Sequence, residues 1–327
     1  TMNSVRMHIG VDVGKSSLDV CFPDGKKEHL NNNKPGRARI IHAAKKLGAI
    51  VCFEATGIYE EDLANECLAA EVRAARLDAW KTRQYAKSRG RIEKTDRLDS
   101  EMIRDFASSL EEGKLPFVKP RSAAHSLIKE YAKIRENLMK ARVVVSSQLE
   151  FVRDKSARRN IIAIVERIER EIARLEDECG KAVDEDERMS SLSRRFLEVK
   201  GVGPCLVRAI FAECPDIGSF SKKGIAKFCG KAPIASKSCT VEKQSRMRRG
   251  RQGLRQAFHM AALSASKHNH VPRETYRRLM ANGKPKMVAL GAVGRHLAIL
   301  LNNIAKYPDF KIRHEPEDGK RKLHATC

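Results

Sequence analysis

Two apolar runs that each end in an acidic residue constrain the fold of this chain most. Asp12 lies at the end of the run in HIGVDVG, and Glu54 lies at the end of the run in VCFEATG. Short uninterrupted apolar runs with β-branched residues are typical of buried strands. Because burying an unpaired charge costs several kcal/mol, carboxylates at these two positions indicate a functional site at a sheet edge.

Segment 6–115 predicts an α/β domain that contains both runs as strands. HIGVDV and SLDVCFP predict two paired strands around a turn at 14–16, because a short polar turn between apolar runs is typical of a hairpin. The further predicted elements are a helix near 37–47, the strand AIVCFEA, a helix at 60–69, the strand VRAARLD and a helix at 96–110. A hairpin followed by alternating strands and helices fits a mixed sheet of the RNase H type.

Pro116 and Pro120 mark the end of this domain, and segment 120–190 predicts two long amphipathic helices. Apolar residues recur every three or four positions over 127–145 and again over 161–175. This spacing predicts a coiled-coil insertion, either as an antiparallel hairpin or as an intermolecular coiled coil between two copies of the chain. A plain helical bundle inside one domain is the alternative.

Segment 194–306 predicts a mostly α-helical domain, and the charged tail 307–327 is predicted to be poorly ordered. The sequence FLEVKGVGPCLVRAIFAE has the form helix, turn, helix and resembles a helix-hairpin-helix. A simple pair of antiparallel helices is the alternative. Because amides at helix N-termini attract phosphate, Gly201 and Gly203 are predicted to contact a nucleic-acid backbone.

The formal net charge of +23 predicts a polyanionic partner, and it favours nucleic acid over a membrane surface. No apolar run approaches the roughly 20 residues that cross a bilayer, and the N-terminus lacks the apolar segment of a signal peptide. A cytoplasmic protein without a membrane partner is therefore predicted.

Residues 221–255 hold eleven Lys or Arg and a single acid, Glu242. This excess predicts contact with phosphates, and a solvated basic face is the alternative. The predicted nucleic-acid contacts are Lys222, Lys223, Lys237, Lys243, Arg246, Arg248, Arg249 and Arg251.

Asp96 and Asp99 in EKTDRLDS complete a set of four acidic residues with Asp12 and Glu54. Residues three apart on a helix are neighbours, so Asp96 and Asp99 are expected to point the same way. Carboxylate oxygens are preferred ligands of Mg²⁺, and two such ions stabilise the attacking and leaving oxygens of a phosphoryl transfer. The four residues predict a Mg²⁺ site in which Mn²⁺ can substitute. The alternative to metal binding is that Asp96 caps the helix or that Asp99 is an ordinary surface charge.

The three acidic segments, IGVDVGK, FEATGIYEEDLA and EKTDRLDS, resemble the three blocks of the DEDD-type transposases of the insertion-sequence 110 family. The later segments VKGVGPCLVRAIFAE, FSKKGIAKFCGKAPI, LRQAFHMAA and NGKPKMVALGAVGRHL are similar to the second domain of that family. The resemblance spans residues 7–305 in the same order. It implies an N-terminal domain similar to the RuvC-type Holliday-junction resolvases and a C-terminal transposase domain.

The resemblance also implies a catalytic serine after a Gly-x-x-Pro turn. Ser238 matches the family spacing and Ser236 is the alternative, while Cys239 stands where the family has Gly. The serine would form a covalent 5′-phosphoserine with DNA at a composite site built by two protomers. The family further implies a structured noncoding guide RNA, called a bridge RNA, that pairs with donor and target DNA, and a homo-oligomer, either a dimer or a tetramer.

The expectation is thus an RNA-guided DNA recombinase or transposase of an insertion sequence. A metal-dependent nuclease similar to the Holliday-junction resolvases, with water as the nucleophile, is the first alternative. A non-catalytic nucleic-acid-binding protein is the second. A covalent adduct between protein and DNA is expected from the recombinase alone.

Overall fold

The computed structural model describes residues 7–55, 59–90, 96–238, 241–247 and 250–312. The chain divides into two compact units, Thr1–Pro120 and Arg121–Cys327. The predicted segments 120–190 and 194–306 both fall in the second unit, apart from residue 120. The prediction for the tail 307–327 concerns mostly residues 313–327, which lie outside the described residues.

The first unit contains a five-stranded mixed sheet. Its strands are β1 (His8–Val13), β2 (Ser17–Cys21), β3 (Lys27–Asn31), β4 (Ile50–Glu54) and β5 (Ala74–Leu77). Their order is β3-β2-β1-β4-β5, with β1, β2 and β3 antiparallel and β1, β4 and β5 parallel. This is the mixed arrangement that the sequence predicts, with the addition of edge strand β3.

Four helices of the first unit flank the sheet: α1 (Lys34–Leu47), α2 (Glu61–Ala69), α3 (Ala79–Ser88) and α4 (Asp96–Ser108). On one face, Ile9 and Val11 of β1 pack in a core with Ile40 of α1 and Leu63 of α2. A second core joins Ile50, Cys52, Ala75 and Leu77 of the parallel strands to Ile103, Phe106 and Ala107 of α4. The parallel strands are therefore apolar on both faces, as buried strands of this kind require.

The second unit begins with an antiparallel helical hairpin made by α5 (Ala123–Ser147) and α6 (Lys155–Glu185). Ion pairs between Arg135 and Glu176 (2.6 Å) and between Arg142 and Glu169 (3.0 Å) join the two helices in opposite directions. The two helices thus form a hairpin within one chain. A coiled coil, within the chain or between two copies of it, stays a prediction.

Six more helices follow: α7 (Glu187–Leu197), α8 (Pro204–Glu213), α9 (Lys222–Phe228), α10 (Gln252–His268), α11 (His270–Ala281) and α12 (Lys286–Lys306). Between α9 and α10, the strands β6 (Ile234–Ser238) and β7 (Val241–Arg246) form an antiparallel hairpin. α12 is long and apolar enough by composition to cross a membrane. However, Val293, Leu297 and Leu301 of α12 are fully buried in the core of this unit, so its composition is that of a core helix.

Candidate active site

Two neighbouring parallel strands bring Asp12 and Glu54 to the same edge of the sheet. Val11 of β1 is level with Phe53 of β4, so the next residues, Asp12 and Glu54, lie side by side where β4 ends. Successive side chains of a strand point to opposite faces. Because Val11 and Phe53 belong to the core shared with α1 and α2, Asp12 and Glu54 lie on the other face, which packs against α4.

The carboxyl group of Glu54 lies within the electrostatic reach of two other carboxyls. Burial raises the pKa of Glu54, and the charges of Asp12 and Asp99 raise it further. A hydrogen bond with the Thr82 side chain and the charge of Arg83, both on α3, lower it by less. Three of the four predicted acidic residues are thus brought together. Each addition of negative charge here is unfavourable unless a cation offsets it.

A glycine inside β1 allows α4 to approach the sheet closely. A Cβ atom on Gly10 would lie 2.1 Å from the carbonyl oxygen of Ser100 and 2.6 Å from the backbone nitrogen of Arg104. Only a residue without a side chain fits beneath this part of α4, which is a recognised role of glycine in a strand. The close packing fixes the height of α4, and with it Asp99, over the sheet.

The fourth acidic residue, Asp96, is the first residue of α4. Its side chain lies outside the part of the chain that the structure describes in atomic detail. Asp99 is half-buried one turn further along the helix. The predicted shared direction of the two side chains therefore stays a prediction.

Asp19, which is not among the four predicted acidic residues, lies opposite Asp12 in the β1–β2 hairpin. Residues directly opposite in an antiparallel pair point to the same face. The carboxylate of Asp19 is 2.9 Å from the Nδ1 atom of His29 on β3. It therefore already has a partner on the side away from β4.

The chemistry of the acidic residues fits a hard divalent cation. Oxygen is the only donor they supply, and the charges of Asp12 and Asp99 create a negative potential at Glu54 that a cation would relieve. Among the side chains that the structure describes, no three His, Cys, Asp or Glu residues are grouped tightly enough to hold a metal ion as they stand. Asp96 is not among those side chains.

Ser238, the predicted nucleophile, is the last residue of β6, and Ser236 lies two residues earlier on the same strand. In the hairpin register Ser238 pairs with Val241 and Ser236 pairs with Lys243. Ser238 is therefore at the turn end of the hairpin. The side chains of residues 234–246 and the residues Cys239 and Thr240 lie outside what the structure describes. The role of the serine stays a prediction.

The base of the β6–β7 hairpin rests on α12. A Cβ atom on Gly291 would lie 2.7 Å from the methyl carbon of Met247, which directly follows β7. A Cβ atom on Gly294, one turn further along, would lie 3.2 Å from Cε of Lys231, three residues before β6. The residue that follows β7 and the residue that lies three positions before β6 are thus both packed on the same core helix.

The predicted phosphate contacts are distributed over α9, the hairpin and the start of α10. Lys222 and Lys223 are exposed in the first turn of α9. The guanidinium of Arg251 lies 5.1 Å from the ring centre of Phe228. Lys237, Lys243 and Arg246 lie on the hairpin strands, and their side chains, like the residues Arg248 and Arg249, lie outside what the structure describes. Their contacts with nucleic acid stay a prediction.

Gly201 has a structural reason of its own to be glycine. Its φ is +97°, and a Cβ atom there would lie 2.5 Å from the Cα atom of Ala265 on α10. Gly203, which directly precedes α8, has a φ of −117°, and a Cβ atom there would have no neighbour within 4 Å. Packing therefore explains Gly201, and phosphate contact by either glycine stays a prediction.

Three residues that shape the acidic site, namely Gly10, Thr82 and Arg83, are not among the residues predicted from the sequence. A glycine inside a strand was the available signal for Gly10, because it often marks close backbone approach. Thr82 and Arg83 lie on α3, a helix that is absent from the predicted elements. Its signal was Asp78, whose side chain accepts a hydrogen bond from the amide of Lys81 and caps the helix.

Comparison with known proteins gives two family matches and two similar relatives. A model of DEDD transposases of IS110 matches residues 9–152, and a model of the transposase IS116/IS110/IS902 family matches residues 193–277. Two relatives, each called pilin gene-inverting protein, come from Moraxella bovis and Moraxella lacunata. Each is 22% identical to this chain over 311 residues, which cover 89% of this chain and 93% of the relative.

The RNase H-like sheet, the carboxylates at its edge and these matches define a DNA transposase or recombinase of the DEDD type. The two matched ranges together cover more than two thirds of the sequence. The chain belongs to the IS116/IS110/IS902 family of transposases. DNA is therefore its substrate, and enzymes of the DEDD type typically use a divalent metal ion.

Proposed function

We propose that this transposase is an RNA-guided DNA recombinase of an insertion sequence. It cleaves and exchanges strands of donor and target DNA through a covalent 5′-phosphoserine intermediate. The observation that carries the proposal is the convergence of three acidic residues at one edge of the sheet, where the charges of Asp12 and Asp99 act on Glu54. Such a group is unfavourable for the fold alone, so a catalytic role accounts for it best.

Asp12, Glu54, Asp96 and Asp99 would hold Mg²⁺, with Mn²⁺ able to substitute. The bound ions would supply stabilisation of the attacking and leaving oxygens of a phosphoryl transfer. The protein itself fixes the height of Asp99 through Gly10, and it orients Glu54 through the side chain of Thr82. Holding these groups in place before the substrate arrives is how such sites lower the barrier.

Ser238 is the proposed nucleophile. Its oxygen attacks the phosphorus atom of the scissile phosphodiester, the Oγ–P bond forms and the P–O3′ bond breaks. One DNA end leaves as a 3′-hydroxyl, and the other stays joined to the protein through its 5′-phosphate. Attack by the 3′-hydroxyl of a different strand then rejoins DNA and frees the serine, so no external energy source is required.

The position of Ser238 at the turn end of the β6–β7 hairpin supports this role. The base of the hairpin is held on α12 by Gly291 and Gly294, while a residue at the other end can be presented to a substrate. We place the serine and the acidic residues of one reaction on two protomers, as the family resemblance implies.

The surplus of positive charge supports a nucleic-acid guide as well as a DNA substrate. With a net charge of +23, the protein can bind the backbone of an RNA that reads sequence by base pairing. A dimer is supported by apolar side chains near the turn of the α5–α6 hairpin, where Val143, Val144 and Phe151 are 57%, 64% and 76% exposed. We assign the enzyme to the cytoplasm, where the DNA and RNA are found together.

A resolvase-like nuclease is the competing function. All four acidic residues lie in the first unit, so water could replace the serine as the nucleophile without any change in that unit. The two functions differ in product, because attack by water leaves a 5′-phosphate on the DNA and no protein attached.

The metal-site part of the proposal is tested with Asp99→Asn, assayed for strand cleavage and for binding of the guide RNA. We expect cleavage to be abolished and RNA binding to be retained, because the substitution removes a ligand charge and keeps the shape. Asp62→Asn on α2 is the matched control, because Asp62 is an exposed carboxylate outside this site. Loss of both cleavage and RNA binding in Asp99→Asn would instead show that Asp99 has a structural role. Cleavage should fail in chelator and return with Mg²⁺ or Mn²⁺.

A further inference from the structure

The second unit contains a buried lysine, Lys231, for which the described part of the chain shows no partner. Lys231 is 3% exposed, and among the described residues no hydrogen bond or ion pair reaches its Nζ atom. Burial, with the charge of Arg255, lowers the pKa of Lys231 to about 8. Burying a cation in this way is unfavourable for folding, so the position favours an anion, which the described residues do not supply.

Two more basic side chains face the same place from α10. Arg255 and His259 are one helical turn apart, the spacing that puts side chains on one face. The charge of Arg255 acts on Lys231, and the pKa of His259 is lowered by burial first and then by the charge of Lys231. Among the side chains that the structure describes, the groups that act on Lys231 are Arg255 and Cys229, and neither is a carboxylate.

Glu213 acts, like Lys231, on Cys229, but its carboxylate is engaged elsewhere. It accepts a hydrogen bond from the backbone amide of Leu254 at the start of α10, and the charge of Arg251 acts on it. A Cβ atom on Gly253 would collide with its Oε1 atom, so Glu213 is fixed at the N-terminus of α10. No carboxylate among the described side chains therefore offsets the charges of Lys231 and Arg255.

We propose that Lys231, Arg255 and His259 bind a backbone phosphate of the DNA that the β6–β7 hairpin engages. The aliphatic part of Lys231 packs over Gly294. Its ammonium group therefore lies near the base of that hairpin. A phosphodiester carries the single negative charge and the acceptor oxygens that three such donors fit. The inference rests on the proposed function in one respect, because it takes DNA as the nucleic acid that reaches this hairpin.

The bound phosphate would lie more than one nucleotide away from the one that is cleaved. β6 runs from Ile234 to Ser238, and strands rise roughly 3.3 Å per residue. Ser238 is therefore on the order of 13 Å from the start of the strand, while Lys231 lies before that start. The three residues act as positioning residues that set how DNA lies along the hairpin.

The test uses the full chain with its guide RNA and an end-labelled duplex of the DNA that flanks the gene. Binding is measured between about 50 and 200 mM salt, the range in which phosphate contacts show a strong salt dependence, with chelator present to prevent cleavage. For Lys231→Met we expect the slope of log affinity against log salt to be smaller by about 0.9, the value for one phosphate contact. The loss of affinity over that salt range should then be about 3-fold smaller than in the wild type.

Lys267→Met is the matched control, because Lys267 is an exposed lysine on α10, the helix that also carries Arg255 and His259. It should keep the wild-type slope. Arg255→Gln should reduce the slope as Lys231→Met does, and it keeps the test valid if one variant folds poorly. The melting temperature of Lys231→Met should be unchanged or higher, since methionine fills a similar volume without a buried charge.

An unchanged slope in Lys231→Met and Arg255→Gln would overturn the inference. If Lys231→Met also had a lower melting temperature, Lys231 would be a structural residue. A slope that changes for the guide RNA alone would overturn the assignment to DNA. A failure of the recombinase proposal would be detected separately, as the absence of covalent adducts. The present assay measures only binding, without cleavage.

Discussion

The close approach of α4 to β1 makes a single methyl group at Gly10 a sharp test of how the acidic site is positioned. In Gly10→Ala the new Cβ atom would lie 2.1 Å from the carbonyl oxygen of Ser100, 2.6 Å from the backbone nitrogen of Arg104 and 2.9 Å from its Cβ atom. Two of these three atoms belong to the backbone of α4. No rotation of a side chain can therefore relieve the contact, and the helix must move.

The size of the movement follows from those distances. To restore an ordinary contact distance at Ser100, α4 must move away from the sheet by more than about 1 Å. Overpacking of this kind destabilises a protein by roughly 1–3 kcal/mol. The same movement carries Asp96 and Asp99 with it, and a misplacement of about 1 Å at a catalytic site costs on the order of 100-fold in rate.

The assay combines thermal unfolding with strand cleavage, measured at a temperature where both proteins are folded. We expect Gly10→Ala to lower the melting temperature by several degrees and to reduce the cleavage rate by about two orders of magnitude. Gly180→Ala is the matched control, because no atom lies within 4 Å of the added carbon on α6. It should cleave at the wild-type rate. A Gly10→Ala protein that cleaves as fast as the wild type would refute the positioning role of Gly10.

Two further predictions concern charge and packing. Burial and two neighbouring carboxylates raise the pKa of Glu54 in the folded state, so folding stability is lost as the pH rises above the ordinary glutamate value near 4.3 and through the raised one. In metal-free buffer, Glu54→Gln should therefore raise the melting temperature more at pH 7 than at pH 4 while abolishing cleavage; equal gains at both pH values would contradict this. Gly201→Ala should destabilise the second unit by roughly 1–3 kcal/mol, because the added carbon would lie 2.5 Å from Ala265. Gly203→Ala, which meets no atom within 4 Å, should cost less in chemical denaturation, and equal losses would count against the packing role of Gly201.

The central part of the first unit could be predicted from the sequence because its strands are apolar and its helices are periodic. The hairpin of β1 and β2, the strands β4 and β5 and the helices α1, α2 and α4 all follow from those patterns. β3 (Lys27–Asn31) could not be predicted in this way. Its residues alternate between exposed and half-buried at the sheet edge, so the sequence KEHLN lacks the apolar side that identifies a strand.

The hairpin that carries the candidate serine could not be predicted either, for a different reason. IASKS and VEKQSR contain few β-branched or aromatic residues, and the high density of charge around them indicates a loop. The residues that flank the two strands, Lys231 and Met247, pack on α12 at Gly294 and Gly291. Contacts between segments that are distant in sequence leave no local pattern.

The acidic site could be anticipated in part. Asp12, Glu54 and Asp99 are recognisable from their positions at strand ends and at a helix start, and the structure brings these three together. The sequence did not reveal what holds them there, because the contact of Gly10 with α4 and the hydrogen bond between Thr82 and Glu54 are tertiary. Likewise, Lys231 is one of eleven basic residues in its stretch of sequence, and its burial is visible only in the fold.

The most direct test of the proposed function is a search for a covalent adduct between the protein and DNA. The protein and its guide RNA are incubated with end-labelled donor and target duplexes and separated on a denaturing gel. We predict an adduct that requires a divalent metal ion, disappears in Ser238→Ala and persists in Ser236→Ala. Cleaved DNA with free 5′-phosphate ends and no adduct would contradict the proposed function, and it would mean that water is the nucleophile.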